Sequence, residues 1–466
     1  MMGLCIGIVP LACLGFDMAL ARAIADKACA SLEAAGFALV GERALLSDAA
    51  AARAAVAGLA AEKLDLMLVL QTTFTDARMV VDIAKAATAP LAIWAFPEKR
   101  TGGRLRLNSL SGVILGVHAL GRAGMACMGH FGPPDADELA AIVPNLARGE
   151  RPDVGLAAPG PAGNHAAARA LMVDLAGTRI GLIGEPPAGF DTSRCDAAAL
   201  ASLAGVEIVA LPLAHLFQRA RAQSLIPGLL DDWQERADAL AGIDQFDHAQ
   251  VRQSLALAAA LEEIEQDNGL SALAVRCWPE TFDGQGCAAC APMGFLSEDG
   301  TPCACEADVF GALTGMILNA VSEAPSWLAD LVDIDAASDT AVFWRCGSAP
   351  LSMADEDEEP CAQIHAIRNM ALLQEFALKP GRVTLARISQ SGNVVRMVLA
   401  GGEMLRAPKS FAGTSGVVRF DRPAGEVLDA MLGEALEHRF GIAYGDHRPA
   451  LRALAAEMGV AVVELA

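Results

Sequence analysis

Residues 65–70, DLMLVL, decide the fold class, because this short and almost wholly apolar run is typical of a buried strand. Helical patterns flank it at 49–64 and 77–87, and further strand patterns lie beyond them at 37–40 and 91–98. Strands that alternate with helices in this way are the signature of a parallel sheet covered by helices. The sequence therefore predicts an α/β fold.

The chain begins with an apolar run, residues 3–10, that ends in a proline. This run resembles the core of a signal peptide, but no basic residue precedes it, so we interpret it as the first buried strand. Helical spacing follows from 16 to 35, and Asp17 is placed to cap the first turn. The start of the chain thus belongs to the same strand and helix alternation.

Polar residues cluster where two predicted strands end, which is where open α/β sheets bind their ligands. The segment QTTFTDA (71–77) follows one strand, and KRTGGRLRLNS (99–109) follows the next. Trp94 and Phe74 either form an apolar wall against a bound ligand, with Asn108 bonding its polar groups, or pack in the core. The segment 99–109 is accordingly either a substrate loop or a solvated connection.

Composition limits the class of protein. A chain of 466 residues is long enough for two to four domains. Hydrophobic residues make up 53% and no run of about eighteen apolar residues occurs, so we expect a globular protein that does not span a membrane. The net charge of −21 argues against nucleic acid and anionic membranes as partners, since both need basic patches. The 12 cysteines follow no pairing pattern, which fits a location in the reducing cytoplasm.

The residue patterns of the remaining chain predict three domains. The Gly- and Pro-rich stretch 148–165 predicts a linker, and a second α/β unit opens with TRIGLIG (178–184). That unit lacks the G-x-G-x-x-G and Walker patterns of nucleotide sites. From about residue 383, short alternating runs predict a small antiparallel sheet or barrel. We therefore predict two Rossmann-like α/β domains with parallel sheets and a C-terminal barrel-like domain, at 1–160, 161–350 and 351–466.

The stretch 277–311, CWPETFDGQGCAACAPMGFLSEDGTPCACEADVFG, gathers carboxylates, cysteines and glycines and is predicted as loop and short strands. Glu280, Glu306 and Asp308 stand beside apolar runs, where a carboxylate needs a partner such as a metal ion. Alternatively, they cap turns or pair with arginines such as Arg276. A zinc site is a further alternative for four cysteines of the stretch, although their spacing fits structural zinc poorly: Cys287, Cys290, Cys303 and Cys305.

These residues resemble the L-fucose isomerase and L-arabinose isomerase superfamily of metal-dependent aldose–ketose isomerases. The resemblance rests on CWPE at 277–280, on S-x-D-G-x-x-x-A-C-E-x-D-V-x-G-A-x-T at 297–314, and on C-G-x-x-P at 346–350. It extends over most of the chain, because QTTFTDA and GGRLRLNSL are similar to the first domain of that family. PGRVTLARIS and HRFGIAYGDH are similar to its last domain.

The resemblance implies a three-domain chain in a ring-like homo-oligomer, a trimer or hexamer, that takes a small carbohydrate substrate. It also implies a divalent ion, most often Mn²⁺ with Mg²⁺ or Co²⁺ as alternatives, held by a glutamate, a second carboxylate and a histidine. Such ions prefer carboxylate oxygens, and imidazole suits manganese. Carried over to this sequence, Glu280 and Asp308 are the catalytic carboxylates and metal ligands, and Glu306 can exchange with Asp308 as a ligand.

Two positions depart from the family pattern. Arg345 stands where many members have a histidine, and its guanidinium binds carboxylate, sulfonate or phosphate instead of a metal. Asp446 stands where the fucose isomerases have the ligand histidine, which leaves His438 and His447 as candidates for that ligand. Arg345 is therefore predicted to bind substrate, and a substrate with a negative charge is favoured.

The resulting hypothesis is an isomerase of a sugar or acidic sugar derivative that acts through a cis-enediol. This chemistry needs a base, an acid and a Lewis acid across both oxygens. The same scaffold also suits epimerisation, decarboxylation or carbon–carbon cleavage. A non-catalytic sugar-binding paralogue is the remaining alternative.

Overall fold

The computed structural model describes residues 4–151 and 154–466, and within these ranges the chain forms three sheets. Gly3, where the predicted first strand begins, and Pro152 and Asp153 of the predicted linker lie outside the described residues. Two sheets are parallel and the third is mixed, which confirms the predicted α/β class. No helix in the described ranges is long and apolar enough to cross a membrane.

The first sheet has five parallel strands in the order β2-β1-β3-β4-β5. The predicted cap is confirmed, because the Asp17 side chain accepts the N–H of Leu20 at 2.9 Å. The elements of this unit are β1 (Cys5–Leu11), α1 (Met18–Ala34), β2 (Ala38–Gly41), α2 (Ala49–Leu59), β3 (Leu66–Gln71), α3 (Ala77–Ala86), β4 (Leu91–Ala95), α4 (Ser109–Arg122), β5 (Met128–Phe131) and α5 (Leu139–Arg148).

The second sheet has four parallel strands in the order β7-β6-β8-β9. Part of the stretch predicted as loop and short strands is helical, since α11 occupies its middle. The elements are α6 (His165–Leu175), β6 (Arg179–Ile183), α7 (Ala197–Ala204), β7 (Glu207–Leu211), α8 (Leu213–Ser224), α9 (Asp231–Asp238), α10 (His248–Asn268), β8 (Ala272–Val275), α11 (Cys290–Glu298), β9 (Cys303–Cys305) and α12 (Val309–Ser322).

The third sheet has nine strands in the order β12-β13-β16-β11-β10-β17-β14-β15-β18. Because β15 also pairs with β16, six of these strands form a barrel-like ring. In chain order, the first strand of this sheet is β10. The predicted division of the chain into domains at residues 160 and 350 stays a prediction. The elements are β10 (Trp327–Asp335), β11 (Thr340–Arg345), β12 (Cys361–Gln363), β13 (Leu373–Ala377), β14 (Gly381–Ser389), β15 (Arg396–Leu405), β16 (Thr414–Phe420), α13 (Ala424–Gly433), β17 (Arg439–Tyr444), α14 (Arg448–Met458) and β18 (Ala461–Glu464).

Two buried helices connect the sheets. Helix α4 is apolar almost all round and buried from Ser109 to Leu120, and it packs between the first sheet and β10. Helix α12 is similarly buried and packs between β8 of the second sheet and strands β14 and β17 of the third. A helix without a polar face needs cover on all sides. These two helices therefore hold the three sheets against one another.

Candidate active site

A cavity of about 220 Å³ is lined by residues from each of the three sheets or the loops that follow their strands. Asp76 follows β3, Glu306 follows β9 and Cys346 follows β11, so the cavity lies at the carboxyl ends of these strands. Ligand sites in α/β proteins favour such positions. Other residues that line it are Phe16, Phe74, Arg104, Asn108, Phe190, Trp278, Asp330, Trp344, Arg345, His365 and His438.

Three carboxylates meet three guanidinium groups at one side of this cavity, so their formal charges cancel. Some of these side chains line the cavity and the rest are buried beside them. Buried charges are tolerated when each has an opposite charge and hydrogen bonds. The members of this carboxylate–arginine cluster are Glu306, Asp308, Asp330, Arg345, Arg387 and Arg439.

Asp330, in β10, bridges two of the arginines. Its Oδ2 lies 3.2 Å from Nη1 of Arg345, and its Oδ1 accepts a hydrogen bond from Nε of Arg439 at 3.1 Å. Burial raises the pKa of Asp330, but the guanidiniums of Arg345 and Arg439 outweigh burial and hold this pKa at about 2. The carboxylate is therefore ionised at neutral pH.

Glu306 has a backbone φ of 58°, a left-handed conformation that is uncommon for residues other than glycine. Its Oε2 accepts a hydrogen bond from Nη2 of Arg439 and lies 4.0 Å from Nη1 of Arg345. Its Oε1 accepts no hydrogen bond from the described residues. Glu306 thus presents an open carboxylate oxygen at the cavity wall.

Arg345 ends β11, and its side chain lines the cavity although the residue is only 5% exposed. Its Nε and Nη2 groups are buried and have no hydrogen-bond partner in the described part of the chain. A buried donor without a partner costs roughly 1–3 kcal/mol.

Asp308 caps α12 and accepts the N–H of Gly311 at 2.8 Å. Its two oxygens also accept hydrogen bonds from Arg387 at 2.6 and 3.0 Å, and Arg439 contributes a third contact at 3.3 Å. Burial opposes ionisation, but these arginines hold the pKa of Asp308 below its ordinary value. The carboxylate, predicted to be catalytic, is thus fully engaged and is not among the described residues that line the cavity.

Glu280, His447 and Trp94 also lie outside the described lining of the cavity. Glu280 forms an ion pair with Arg276. The sequence analysis gave this pairing as the alternative to metal binding. Nε2 of His447 donates to the carbonyl of Tyr444 at 2.8 Å. Trp94 is buried in the first sheet, where its Nε1 donates to the carbonyl of Gly132 at 3.1 Å. The predicted metal and substrate roles of these residues stay predictions.

Two predicted residues, His438 and Asn108, line the cavity, and each also has a buried polar atom without a partner among the described residues. His438 is buried, its Nε2 lies 3.6 Å from Oδ1 of Asp330, and its Nδ1 has no hydrogen-bond partner among the described residues. Burial lowers the pKa of His438 to about 3, so the imidazole is neutral. Asn108, at the start of α4, has a buried Oδ1 that likewise lacks a partner in the described ranges.

The donor types near the cavity suit a divalent ion, but their placement does not. Glu306, Asp330 and His438 supply two carboxylates and a neutral imidazole, which is a set that suits Mn²⁺. Arg439, however, bonds to both carboxylates. Within residues 4–151 and 154–466, no three His, Cys, Asp or Glu side chains are grouped so that they could hold a metal ion.

Sequence reasoning missed several residues of the site. Asp330 stands in the segment 330–339, DLVDIDAASD, which reads simply as acidic, yet it is a lone acid in the apolar start of β10. A buried carboxylate in a strand requires a partner, and that signal could have identified it. The same argument applies to Arg387 in β14 and Arg439 in β17. Each is a charged residue in a strand that is otherwise mostly apolar, so it too requires a partner of opposite charge.

Cys290 of the predicted zinc motif is a free thiol that donates a hydrogen bond to Cys346, a free thiol outside the motif. The Sγ of Cys346 also lies 3.4 Å from Nε2 of His365. The hydrogen bond from Cys290 lowers the pKa of the Cys346 thiol against the effect of burial, and His365 and Arg345 lower it further. Cys346 therefore has thiolate character at the cavity wall.

We expect iodoacetamide near neutral pH to alkylate Cys346 at least about tenfold faster than Cys303, because only the thiolate reacts, the pKa of Cys346 is lowered and burial raises the pKa of Cys303. Mass spectrometry of peptides from a time course measures both rates. His365→Ala should slow the reaction of Cys346 and leave Cys303 unchanged. Equal rates at the two cysteines would contradict the expectation.

The chain is distantly homologous to proteins named sulfoquinovose isomerase. It is 29% identical over 406 residues to the protein of that name from Alkalicoccus urumqiensis, with 86% of each chain covered. It is 29% identical over 390 residues to the one from Priestia megaterium, with 82% of each covered. No protein-family model matches the chain. The first ketoreductase of the tylosin PKS aligns at 16% identity over 65% of this chain and 79% of that chain, and its TM-score of 0.25 is too low to bear on the fold.

Proposed function

We propose that the protein is an aldose–ketose isomerase whose substrate is a sulfonated sugar of the sulfoquinovose type. The observation that carries this proposal is the open Oε1 of Glu306 in the same cavity as two unpartnered donors of Arg345. A base and hydrogen-bond donors at one place are what proton transfer beside a carbonyl needs. The distant relatives named sulfoquinovose isomerase support both the sugar class and the expected negative charge.

The reaction moves one proton from C2 to C1 of the sugar and one hydroxyl proton from O2 to O1. Glu306 takes the proton from C2, which gives a cis-enediolate with its charge on O1; O1 then gains a proton to form the cis-enediol, and Glu306 delivers a proton to C1 as O2 loses its own. The Nε and Nη2 groups of Arg345 donate to the oxygen that gains negative charge, and Oδ1 of Asn108 accepts from a hydroxyl. Asp330 has arginine partners at both oxygens, so it positions Arg345 and Arg439. This assignment gives the proton transfer to Glu306 instead of Glu280 and Asp308.

A divalent ion, Mn²⁺ before Mg²⁺ or Co²⁺, stays a proposal from the family resemblance: Glu306, Asp330 and His438 offer its donor types, although the described side chains are not grouped as ligands. The unpartnered Nδ1 of His438 supports a missing ligand, whereas the bonds from Arg439 to both carboxylates favour a second candidate without a metal. Bound there, an ion would act as a Lewis acid on the two sugar oxygens. In the metal-free alternative, Arg345 and Arg439 alone supply the positive charge.

Both proposals are tested together by incubating the purified protein with sulfoquinovose in D₂O. We expect NMR to detect a ketose that carries solvent deuterium at C1, and metal analysis to find about one Mn²⁺ per chain. Removal of the ion with EDTA should lower the rate at least about tenfold, and Mn²⁺ should restore it. Full activity without any ion would select the metal-free candidate.

Other outcomes identify the alternatives predicted from sequence. Deuterium at C2 of an epimeric aldose would indicate an epimerase, and shorter or decarboxylated products would indicate a lyase or decarboxylase. Binding of the sugar without any turnover, with or without added ion, would indicate a non-catalytic paralogue. Each of these results would overturn the isomerase proposal.

A further inference from the structure

The loop between β4 and α4, residues 96–108, is held tightly at its end. The Glu98 carboxylate accepts the backbone N–H groups of Arg106, Leu107 and Asn108 at 2.7 to 2.9 Å. The backbone N–H of Phe74, in turn, donates to the carbonyl of Leu107 at 2.7 Å. The sequence predicted segment 99–109 either as a substrate loop or as a solvated connection. Its end is therefore held in place by hydrogen bonds beside the cavity.

The same loop is fastened to the third sheet. The N–H of Gly102 donates to the carbonyl of Ser410 at 2.9 Å, and the N–H of Ala412 donates to the carbonyl of Gly103 at 2.8 Å. Ala412 itself lines the cavity. These bonds fix the backbone on both sides of Arg104. The backbone that carries this side chain at the cavity is therefore preorganised.

Arg104 is exposed, lines the cavity and carries a charge that no carboxylate of the described residues balances within 4.0 Å. Its Nη2 donates to the carbonyl of Gly15, which is a neutral partner. Arg345, by contrast, has Asp330 at 3.2 Å and Glu306 at 4.0 Å. Its positive charge is already compensated.

Asp76, which also lines the cavity, does not change that balance, because Arg78 bonds to both of its oxygens at 2.9 and 2.7 Å. Phe16 and Phe74 line the same cavity, and their ring centroids are 6.3 Å apart. A guanidinium has five N–H donors in a planar fork that matches an oxyanion, and one of them is used by Gly15.

We propose that Arg104 binds the anionic group of the substrate, a sulfonate, at the open side of the cavity, while Arg345 serves the reacting carbons. This inference rests on the proposed function for the identity of the sugar. The sequence suggested that Arg345 binds the negative charge of the substrate. We assign that role to Arg104 instead, because Arg104 has no carboxylate partner among the described residues. The two arginines then bind opposite ends of one sugar.

The test compares Arg104→Met with Arg106→Met in the full-length protein. Arg106 is two residues away and pairs with Asp17 at 2.9 Å, which makes it a matched control. Calorimetry measures Kd for sulfoquinovose and for quinovose, its neutral counterpart without the sulfonate. We expect Arg104→Met to weaken sulfoquinovose binding about 10- to 100-fold and to leave quinovose binding unchanged, since a hydrogen bond to a charged group contributes about 1.5–3 kcal/mol.

Turnover supplies the second readout. Arg104→Met should raise KM for sulfoquinovose by a similar factor and keep kcat within about threefold, whereas Arg106→Met should change neither sugar selectively. Unchanged sulfoquinovose affinity in Arg104→Met, an equal loss for both sugars, or no binding by the unmodified protein would overturn the inference. Selective binding without isomerisation would uphold Arg104 and overturn only the proposed function.

Discussion

Replacing Glu306 with glutamine is expected to lower kcat by about 10²- to 10⁴-fold, because the amide keeps the size of the side chain but cannot accept the proton from C2. The fold should be retained, since Oε2 accepts a hydrogen bond from Arg439 that an amide oxygen can also accept. Initial rates with sulfoquinovose and circular dichroism spectra measure the two effects. Retained activity would remove Glu306 from the proton transfer.

Glu280→Gln is the matched control for that experiment. Glu280 bonds to Arg276 and does not belong to the described lining of the cavity. We expect its replacement to keep kcat within about threefold of the unmodified protein. The reverse pattern, with Glu280→Gln inactive and Glu306→Gln active, would support the assignment predicted from sequence.

Replacing Asp308 with alanine is expected to lower the free energy of unfolding by about 3–5 kcal/mol, because it leaves the buried charge of Arg387 without its carboxylate. It also removes the cap of α12. Urea denaturation followed by circular dichroism measures the change. Loss of activity without loss of stability would instead support the catalytic role predicted for Asp308.

Two control variants test whether the loss of stability in Asp308→Ala comes from the buried charge left without a partner. Asp283→Ala breaks the exposed pair between Asp283 and Arg368, so it should cost less than about 1 kcal/mol. A double variant, Asp308→Leu with Arg387→Met, removes both buried charges. It should lose less stability than the sum of the two single changes, because neither charge is left alone.

The α/β class was predictable because buried parallel strands such as β3 are continuous apolar runs, and the helices between them have their own spacing. Helix α11 was missed since it contains Pro292 and Gly294, which usually interrupt helices. Pro292 lies in the first turn, where a missing N–H costs no hydrogen bond. The pairing of β10 with β17 joins residues more than 100 positions apart, so no local pattern could indicate it.

The site was less predictable because neighbours in sequence separate in space. Glu306 and Asp308 are two residues apart, yet the first lines the cavity and the second caps α12. The resemblance to a family indicated a glutamate, a second carboxylate and a histidine, but it could not tell which acids lie beside His438. That depends on Asp330, which reaches the cavity only through the strand order of the third sheet.

The carboxylate–arginine cluster cancels its own charge, so it contributes little to the electrostatic potential felt far from the protein. The net charge of −21 therefore dominates the field that an approaching ligand meets. An anionic sugar of the proposed kind would diffuse against this field until it is close to Arg104. Dissolved salt limits the repulsion to a Debye length of about 8 Å at physiological ionic strength. The ionic strength of the medium, more than the chemistry of the cavity, therefore governs how often such a sugar arrives.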